Sequence, residues 1–142
     1  MAVTHTTAAR NAATDAVTAL IGASGKLKFR LAGTVGSPGA IVATLPLSAT
    51  AFAASGAVGA AGAGSNPATA GLAWANAITS DTNATGNASA VATATLETSG
   101  GTLVIHCAVA ASSSDINMTN GLTVAANDTV SCSLLSYTAL PS

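Results

Sequence analysis

The apolar positions between Thr7 and Ile21 recur with the spacing of an α-helix. They fall on one face, which comprises Ala9, Ala12, Ala13, Ala16, Val17, Leu20 and Ile21. Thr6 or Thr7 can cap the start of this helix, and Gly22 stands where the end of a helix favours glycine. We therefore expect an N-terminal helix within residues 6–22, which either covers an edge of a sheet or acts as an arm on a neighbouring subunit.

After Gly25 the period of the apolar residues changes to two, which indicates a strand. The apolar face of this segment consists of Leu27, Phe29 and Leu31. The opposite face consists of Lys26, Lys28 and Arg30. The segment Ile41–Leu47 predicts a second strand, and Pro46 favours a position at the edge of a sheet.

Further short apolar segments, separated by turn-forming residues, predict the remaining strands. These segments are Leu72–Ile78, Ala88–Thr98, Thr102–Ala110, Leu122–Ala125 and Thr129–Leu140. Ser99-Gly100-Gly101 predicts a hairpin, whereas Ala111–Asn120 reads as a polar connection. The Gly/Ala-rich segment 53–71 predicts a long loop. Seven or eight short strands with one short N-terminal helix predict a mainly β fold, a β-sandwich or jelly roll, in a single domain over residues 1–142.

Charged residues are rare in this chain. Nine of its 142 residues carry a full charge, which is 6%, and none lies between Leu31 and Ser80. Soluble domains have roughly 25% charged residues. Such a surface has little protection against self-association, so we expect partners to cover much of it. A net charge of −1 argues against nucleic acid as a partner, and Pro and Gly within residues 41–63 argue against a membrane span.

Residues suited to catalysis or metal binding are scattered. The soft ligands are His5, His106, Cys107 and Cys132, and no paired Cys spacing occurs among them. Side chains at neighbouring strand positions such as 106 and 107 point to opposite faces. The five acidic residues are widely spaced as well. We therefore expect no enzyme activity, no catalytic residues, no metal and no cofactor.

The basic face of the first strand leaves two interpretations open. Lys26, Lys28 and Arg30 are three of the four basic residues of the chain. They form either an ordinary solvent-facing surface or a docking row for an acidic protein surface. Three aromatic residues are candidate anchors of the core or of an interface, because aromatic side chains supply much of the buried area at both. These anchors are Phe29, Phe52 and Trp74.

The order of these segments resembles that of the capsid decoration, or cement, proteins of tailed bacteriophages. The segments that carry the resemblance are Ala8–Gly22, Lys26–Leu31, Ala43–Leu47 leading to Phe52, Asn76–Asp81, Asp115–Asn120 and Thr129–Ser131. The resemblance covers most of the chain, but the loop 53–71 is expanded and the strand after Gly86 carries unusually small residues. It identifies no functional residue.

The resemblance implies a non-enzymatic virion protein that binds and stabilises an icosahedral shell. Its partners would be the major capsid protein and further copies of itself, as a homodimer or trimer. Such a protein is made in the host cytoplasm and lies on the outer capsid surface. The alternative is a phage tail or host-recognition adhesin, in which exposed Ser, Thr and Asn loops bind glycans.

Overall fold

The computed structural model describes residues 3–58 and 67–140. Within them the chain forms one helix and seven short strands, so the predicted mainly β fold with one N-terminal helix is confirmed. The elements are α1 (Thr7–Ile21), β1 (Lys26–Arg30), β2 (Ile41–Pro46), β3 (Leu72–Trp74), β4 (Thr93–Glu97), β5 (Leu103–Ala110), β6 (Ile116–Asn117) and β7 (Ser136–Thr138). In the predicted loop 53–71, residues 59–66 lie outside the described residues.

Five strands form the main sheet in the order β2-β1-β4-β5-β6. All of its pairs are antiparallel except β5–β6. The predicted hairpin at Ser99–Gly101 joins β4 to β5, and Pro46 lies in the edge strand β2 as expected. Strands β3 and β7 form a separate antiparallel pair.

The core lies on the face of the main sheet that carries the large apolar side chains. Leu27 and Leu45 are fully buried there, and Phe29 and Leu96 are nearly so. All five residues of β4, the central strand of the sheet, are buried. The alternation read from β1 is therefore confirmed, with Leu27 and Phe29 inside.

Several predicted strands are shorter than the sequence suggests. The segment Leu122–Ala125 forms only an isolated bridge, between Val124 and Asn87, and most of Thr129–Leu140 is irregular outside β7. The backbone of residues 122–130 pairs with residues 81–91 through scattered hydrogen bonds and isolated bridges instead of a continuous ladder. A tight turn at Asn127, with φ of +69°, interrupts the extended chain there.

Strand β6 lies within the segment predicted as a polar connection. Asp115 holds this segment beside β5, because its Oδ2 accepts a hydrogen bond of 2.9 Å from the backbone N–H of Ala108. Residues Ile116 and Asn117 then pair in parallel with Val109 and Ala110. A side-chain contact therefore creates a strand that apolar periodicity does not reveal.

Candidate interaction surfaces

The basic row of β1 surrounds a buried carboxylate. Glu97 is 1% exposed, and its Oε2 lies 2.5 Å from Lys28 Nζ while its Oε1 lies 2.8 Å from Arg30 Nη2. Thr95 Oγ1 donates to Glu97 Oε1 at 2.7 Å and accepts from Arg30 Nε at 3.0 Å. The antiparallel register places Lys28 opposite Thr95 and one diagonal step from Glu97. We call Lys28, Arg30, Thr95 and Glu97 the ionic cluster.

The ionic cluster holds Glu97 in its charged form. Burial by itself raises the pKa of Glu97, but hydrogen bonds from Lys28, Thr95 and Arg30 more than compensate and leave the pKa below its ordinary value of 4.5. The side chains of Lys28 and Arg30 are only 13% and 12% exposed. Lys28 and Arg30, two of the three residues predicted to dock a partner, thus form ion pairs within their own sheet.

Lys26 occupies a different position from the other two basic residues of β1. It is half-buried and pairs in register with Pro46 on one side and Glu97 on the other. Within residues 3–58 and 67–140, its ammonium group makes no hydrogen bond or ion pair. Docking through the basic row remains a prediction, and Lys26 is the member of the row best placed for it.

Helix α1 begins and ends where the sequence predicts. Thr6 caps its start by accepting a hydrogen bond of 3.2 Å from the backbone N–H of Ala9. Gly22 follows its end with φ of +69°, a conformation that favours glycine. The helix contacts β3, β7 and β5 of its own chain.

Only part of the predicted apolar face of α1 is buried. The buried side chains are Thr14, Thr18 and Ile21. The exposed ones include most of the predicted apolar face, namely Ala9, Ala12, Ala16 and Leu20. Leu20 is 64% exposed. We call these four residues the outer face of α1.

Hydrogen bonds explain why polar residues of α1 pack against the rest of the chain. Thr14 Oγ1 donates to the carbonyl of Gly71 at 2.6 Å and accepts from the backbone N–H of Ala139 at 3.0 Å. Asn11 Oδ1 accepts from the N–H of Gly71 at 2.6 Å, and Asp15 Oδ1 accepts from the N–H of Ser55 at 2.7 Å. These bonds fix both ends of the long loop against the helix.

The three aromatic anchors occupy different environments. Phe29 and Phe52 belong to the core and are 3% and 8% exposed. Trp74 is half-buried in β3, and its Nε1–H donates to the carbonyl of Pro67 at 3.0 Å. Phe29 and Phe52 are therefore core anchors, whereas Trp74 secures the second end of the long loop.

Both cysteines are half-buried free thiols. Burial raises the pKa of Cys107 to about 11, with a smaller contribution from the charge of Asp115. Burial also raises the pKa of Cys132. Because the thiolate is the nucleophile, both side chains are poor nucleophiles near neutral pH. His106 and Cys107 pair with Thr95 and Ala94 respectively, which places them on opposite faces of β5.

A cleft of about 650 Å³ opens beside β6. Two chain segments line most of it, residues 115–121 and residues 129–136, which we call its first and second walls; Phe29 lines it as well. Most of the lining side chains carry hydroxyl, amide or carboxylate groups. The cleft was not predicted from the sequence. The high content of Ser, Thr and Asn after residue 111 is the feature of the sequence that points to it.

Residues 3–58 and 67–140 contain no group of three or more His, Cys, Asp or Glu side chains that is suited to holding a metal ion. The described helix is neither long nor apolar enough to cross a membrane.

No protein family model, curated protein or solved structure matches this chain.

Proposed function

We propose that this protein is a non-enzymatic capsid decoration protein, which binds and stabilises an icosahedral shell of major capsid protein on the outer surface of a virion. The observation that carries the proposal is that most charged side chains form hydrogen bonds within their own chain. Of the nine charged residues, eight donate or accept hydrogen bonds within their own chain. They are Arg10, Asp15, Lys28, Arg30, Asp81, Glu97, Asp115 and Asp128.

This use of charge supports a role in assembly. A chain with few charges that are mostly engaged internally gains little solubility from them. A surface of small and uncharged residues associates closely with a neighbour at a low desolvation cost. Repetition around a closed shell then turns many weak contacts into stable binding. Association of the chain with itself, as a homodimer or trimer, is part of the same proposal.

The docking surface that we propose consists of the outer face of α1 and Lys26. The four-residue connection 22–25 separates the end of α1 from β1, so Leu20 and Lys26 are close along the chain. Leu20 offers an exposed apolar group, and Lys26 offers an ammonium group that has no partner within the described residues. The matching surface of the capsid would be apolar with an acidic rim.

The jelly-roll or β-sandwich architecture belongs to this proposal as well. The five-stranded sheet and the β3–β7 pair would be its two unequal layers. The isolated bridges Leu47–Ile78 and Phe52–Ala75 support this arrangement, because they link the edge strand β2 and the segment after it to the region around β3.

A binding experiment tests the proposed docking surface. The purified chain is sedimented with shells of the major capsid protein encoded by the same virus. We expect saturable binding at a simple ratio of chain to capsid subunit, and a large loss of binding for Leu20→Asp combined with Lys26→Glu. Val35→Asp is the matched control, since Val35 is 65% exposed and belongs to neither α1 nor β1. Failure to bind, or equal loss in the control, contradicts the proposal.

A further inference from the structure

The cleft beside β6 contains many polar side chains that the fold itself does not use. Within the described residues, seven lining side chains make no hydrogen bond. They are Thr119, Asn120, Thr123, Thr129, Ser131, Ser133 and Ser136. All seven are exposed to solvent. The two walls therefore present hydroxyl and amide groups toward the same space, where a ligand can replace their water.

The charges of the cleft restrict the class of ligand. Among the described lining residues there are two acidic side chains, Asp115 and Asp128, and no basic one. Each carboxylate already accepts a backbone hydrogen bond through its Oδ2, from Ala108 and Ala125 respectively. An anionic ligand would meet two negative charges without a cation to balance them. Phosphate, nucleic acid and acidic sugars are disfavoured for this reason.

Backbone hydrogen bonds hold each wall of the cleft against a neighbouring segment. In the first wall, Ile116 and Asn117 pair with β5, and the N–H of Met118 donates to the carbonyl of Ala110 at 2.9 Å. In the second wall, Val130 and Asp81 exchange two bonds, of 2.8 and 2.9 Å. Each wall is thereby anchored to the rest of the fold. A preformed site loses little conformational entropy on binding, so weak neutral hydrogen bonds suffice to hold a ligand.

Apolar atoms accompany the hydroxyl groups. Leu134 lines the cleft and is 55% exposed, and Met118 lies on the opposite wall. Sugar rings combine hydroxyl edges with C–H faces, and such a surface matches both kinds of lining. The volume of about 650 Å³ lies within the usual range for small-molecule sites, roughly 300–1,000 Å³.

We infer that this cleft binds an uncharged, hydroxyl-rich ligand, namely a segment of a neutral oligosaccharide. Hydroxyl and amide groups of both walls bind the hydroxyl groups of the sugar, and Leu134 and Met118 pack against its C–H faces. The inference goes beyond the proposed capsid function and does not depend on it.

The experiment is a titration of the full-length, isotope-labelled chain, followed by the chemical shifts of its backbone amides. The probes are a panel of uncharged gluco-, galacto- and manno-oligosaccharides, with trigalacturonic acid as the acidic control. We expect at least one neutral probe to shift the amides of residues 119–121 and 129–134 saturably at millimolar concentration. The acidic probe leaves them unchanged.

Two variants from opposite walls test the assignment of the site. Asn120→Ala and Ser131→Ala should each weaken binding of the same probe by roughly two- to tenfold, the effect of one lost hydrogen bond. Ser112→Ala is the matched control, because Ser112 is exposed and lies outside the cleft. Its affinity should equal that of the unmodified chain.

Three results would overturn the inference. They are the absence of shifts with every neutral probe, stronger shifts with the acidic probe, and equal weakening by the Ser112 control. None of them affects the capsid proposal, which is tested by sedimentation with shells. Conversely, a chain that binds a sugar but no shell would support the inference about the cleft and contradict the proposed decoration function.

Discussion

Helix α1 buries two threonines and leaves much of its apolar face exposed, whereas strand β1 buries its apolar side. In β1 the buried residues are Leu27 and Phe29, both large. In α1 the buried residues are Thr14, Thr18 and Ile21, while Ala9, Ala12 and Ala16 face outward. Size accounts for part of the difference, because the large Ile21 is buried and the alanines are exposed, but the large Leu20 is exposed as well.

The energies involved explain the difference. Burial contributes about 0.8 kcal/mol per CH₂ group, so a methyl side chain gains little by turning inward. A buried polar group left without a partner costs about 1–3 kcal/mol. The carbonyl of Gly71 and the N–H of Ala139 both need partners where α1 packs, and Thr14 supplies both. An alanine face is therefore a weak guide to which side of a helix is buried.

Breaking the ionic cluster should have the largest effect on stability. Glu97→Gln removes the negative charge that matches Lys28 and Arg30, whose side chains are almost buried. We expect a loss of about 3–5 kcal/mol in the free energy of unfolding, measured by urea denaturation. Lys26→Gln is the matched control on the same face and should change stability by less than about 0.5 kcal/mol. Equal effects of the two variants would show that the cluster contributes no special stability.

The pH dependence of the same cluster sharpens this prediction. Because the pKa of Glu97 is lowered in the folded state, its stabilising effect is complete above its ordinary value of 4.5 and is lost as pH falls through the lower, folded pKa. The gap in stability between the unmodified chain and Glu97→Gln should therefore be widest at neutral pH and shrink in acid. A gap that widens below pH 4.5 would contradict the lowered pKa.

Removing the buried hydrogen bonds of α1 should have an intermediate effect on the free energy of unfolding. Thr14→Val keeps the shape of the side chain but leaves the carbonyl of Gly71 and the N–H of Ala139 without this partner. We expect a loss of about 1–3 kcal/mol in thermal or urea unfolding. Ala12→Ser on the outer face serves as control and should cost less than about 0.5 kcal/mol. If valine proved neutral, packing and not hydrogen bonding would determine the orientation of the helix.

A substitution on the outer face of α1 should have the smallest effect on the free energy of unfolding. Leu20 is 64% exposed, so Leu20→Ser should change the free energy of unfolding by less than about 0.5 kcal/mol. The helix content, measured by circular dichroism, should stay the same. A loss comparable to that of Thr14→Val would mean that Leu20 supports the fold instead of remaining available to a partner.

The sequence predicts those elements that are determined by residues near one another in the chain. The bounds of α1 follow from its caps, β1 from its alternation, and the β4–β5 hairpin from Ser99–Gly101. It does not predict the partner of the basic row, because Glu97 lies 69 residues from Lys28 and reaches it only through the pairing of β1 with β4. The complementary charges of these two strands are a signal that becomes useful only once their pairing is known.

Strand β6 and the cleft escape prediction for a related reason. Asp115 places β6 by accepting a hydrogen bond from the N–H of Ala108, and two backbone bonds to Asp81 hold the second wall of the cleft. Such contacts leave no period in the sequence. The segment after residue 111 shows only a high content of Ser, Thr and Asn, which is equally typical of an ordinary loop.

The most direct test of the proposed function is the copy number of this chain in purified virions, determined by quantitative mass spectrometry against the major capsid protein. A decoration protein should be present at a ratio near one, or at a simple fraction of it, because it follows the symmetry of the shell. A handful of copies per virion would contradict this function and favour a tail or host-recognition module. Complete absence from the virion would contradict both.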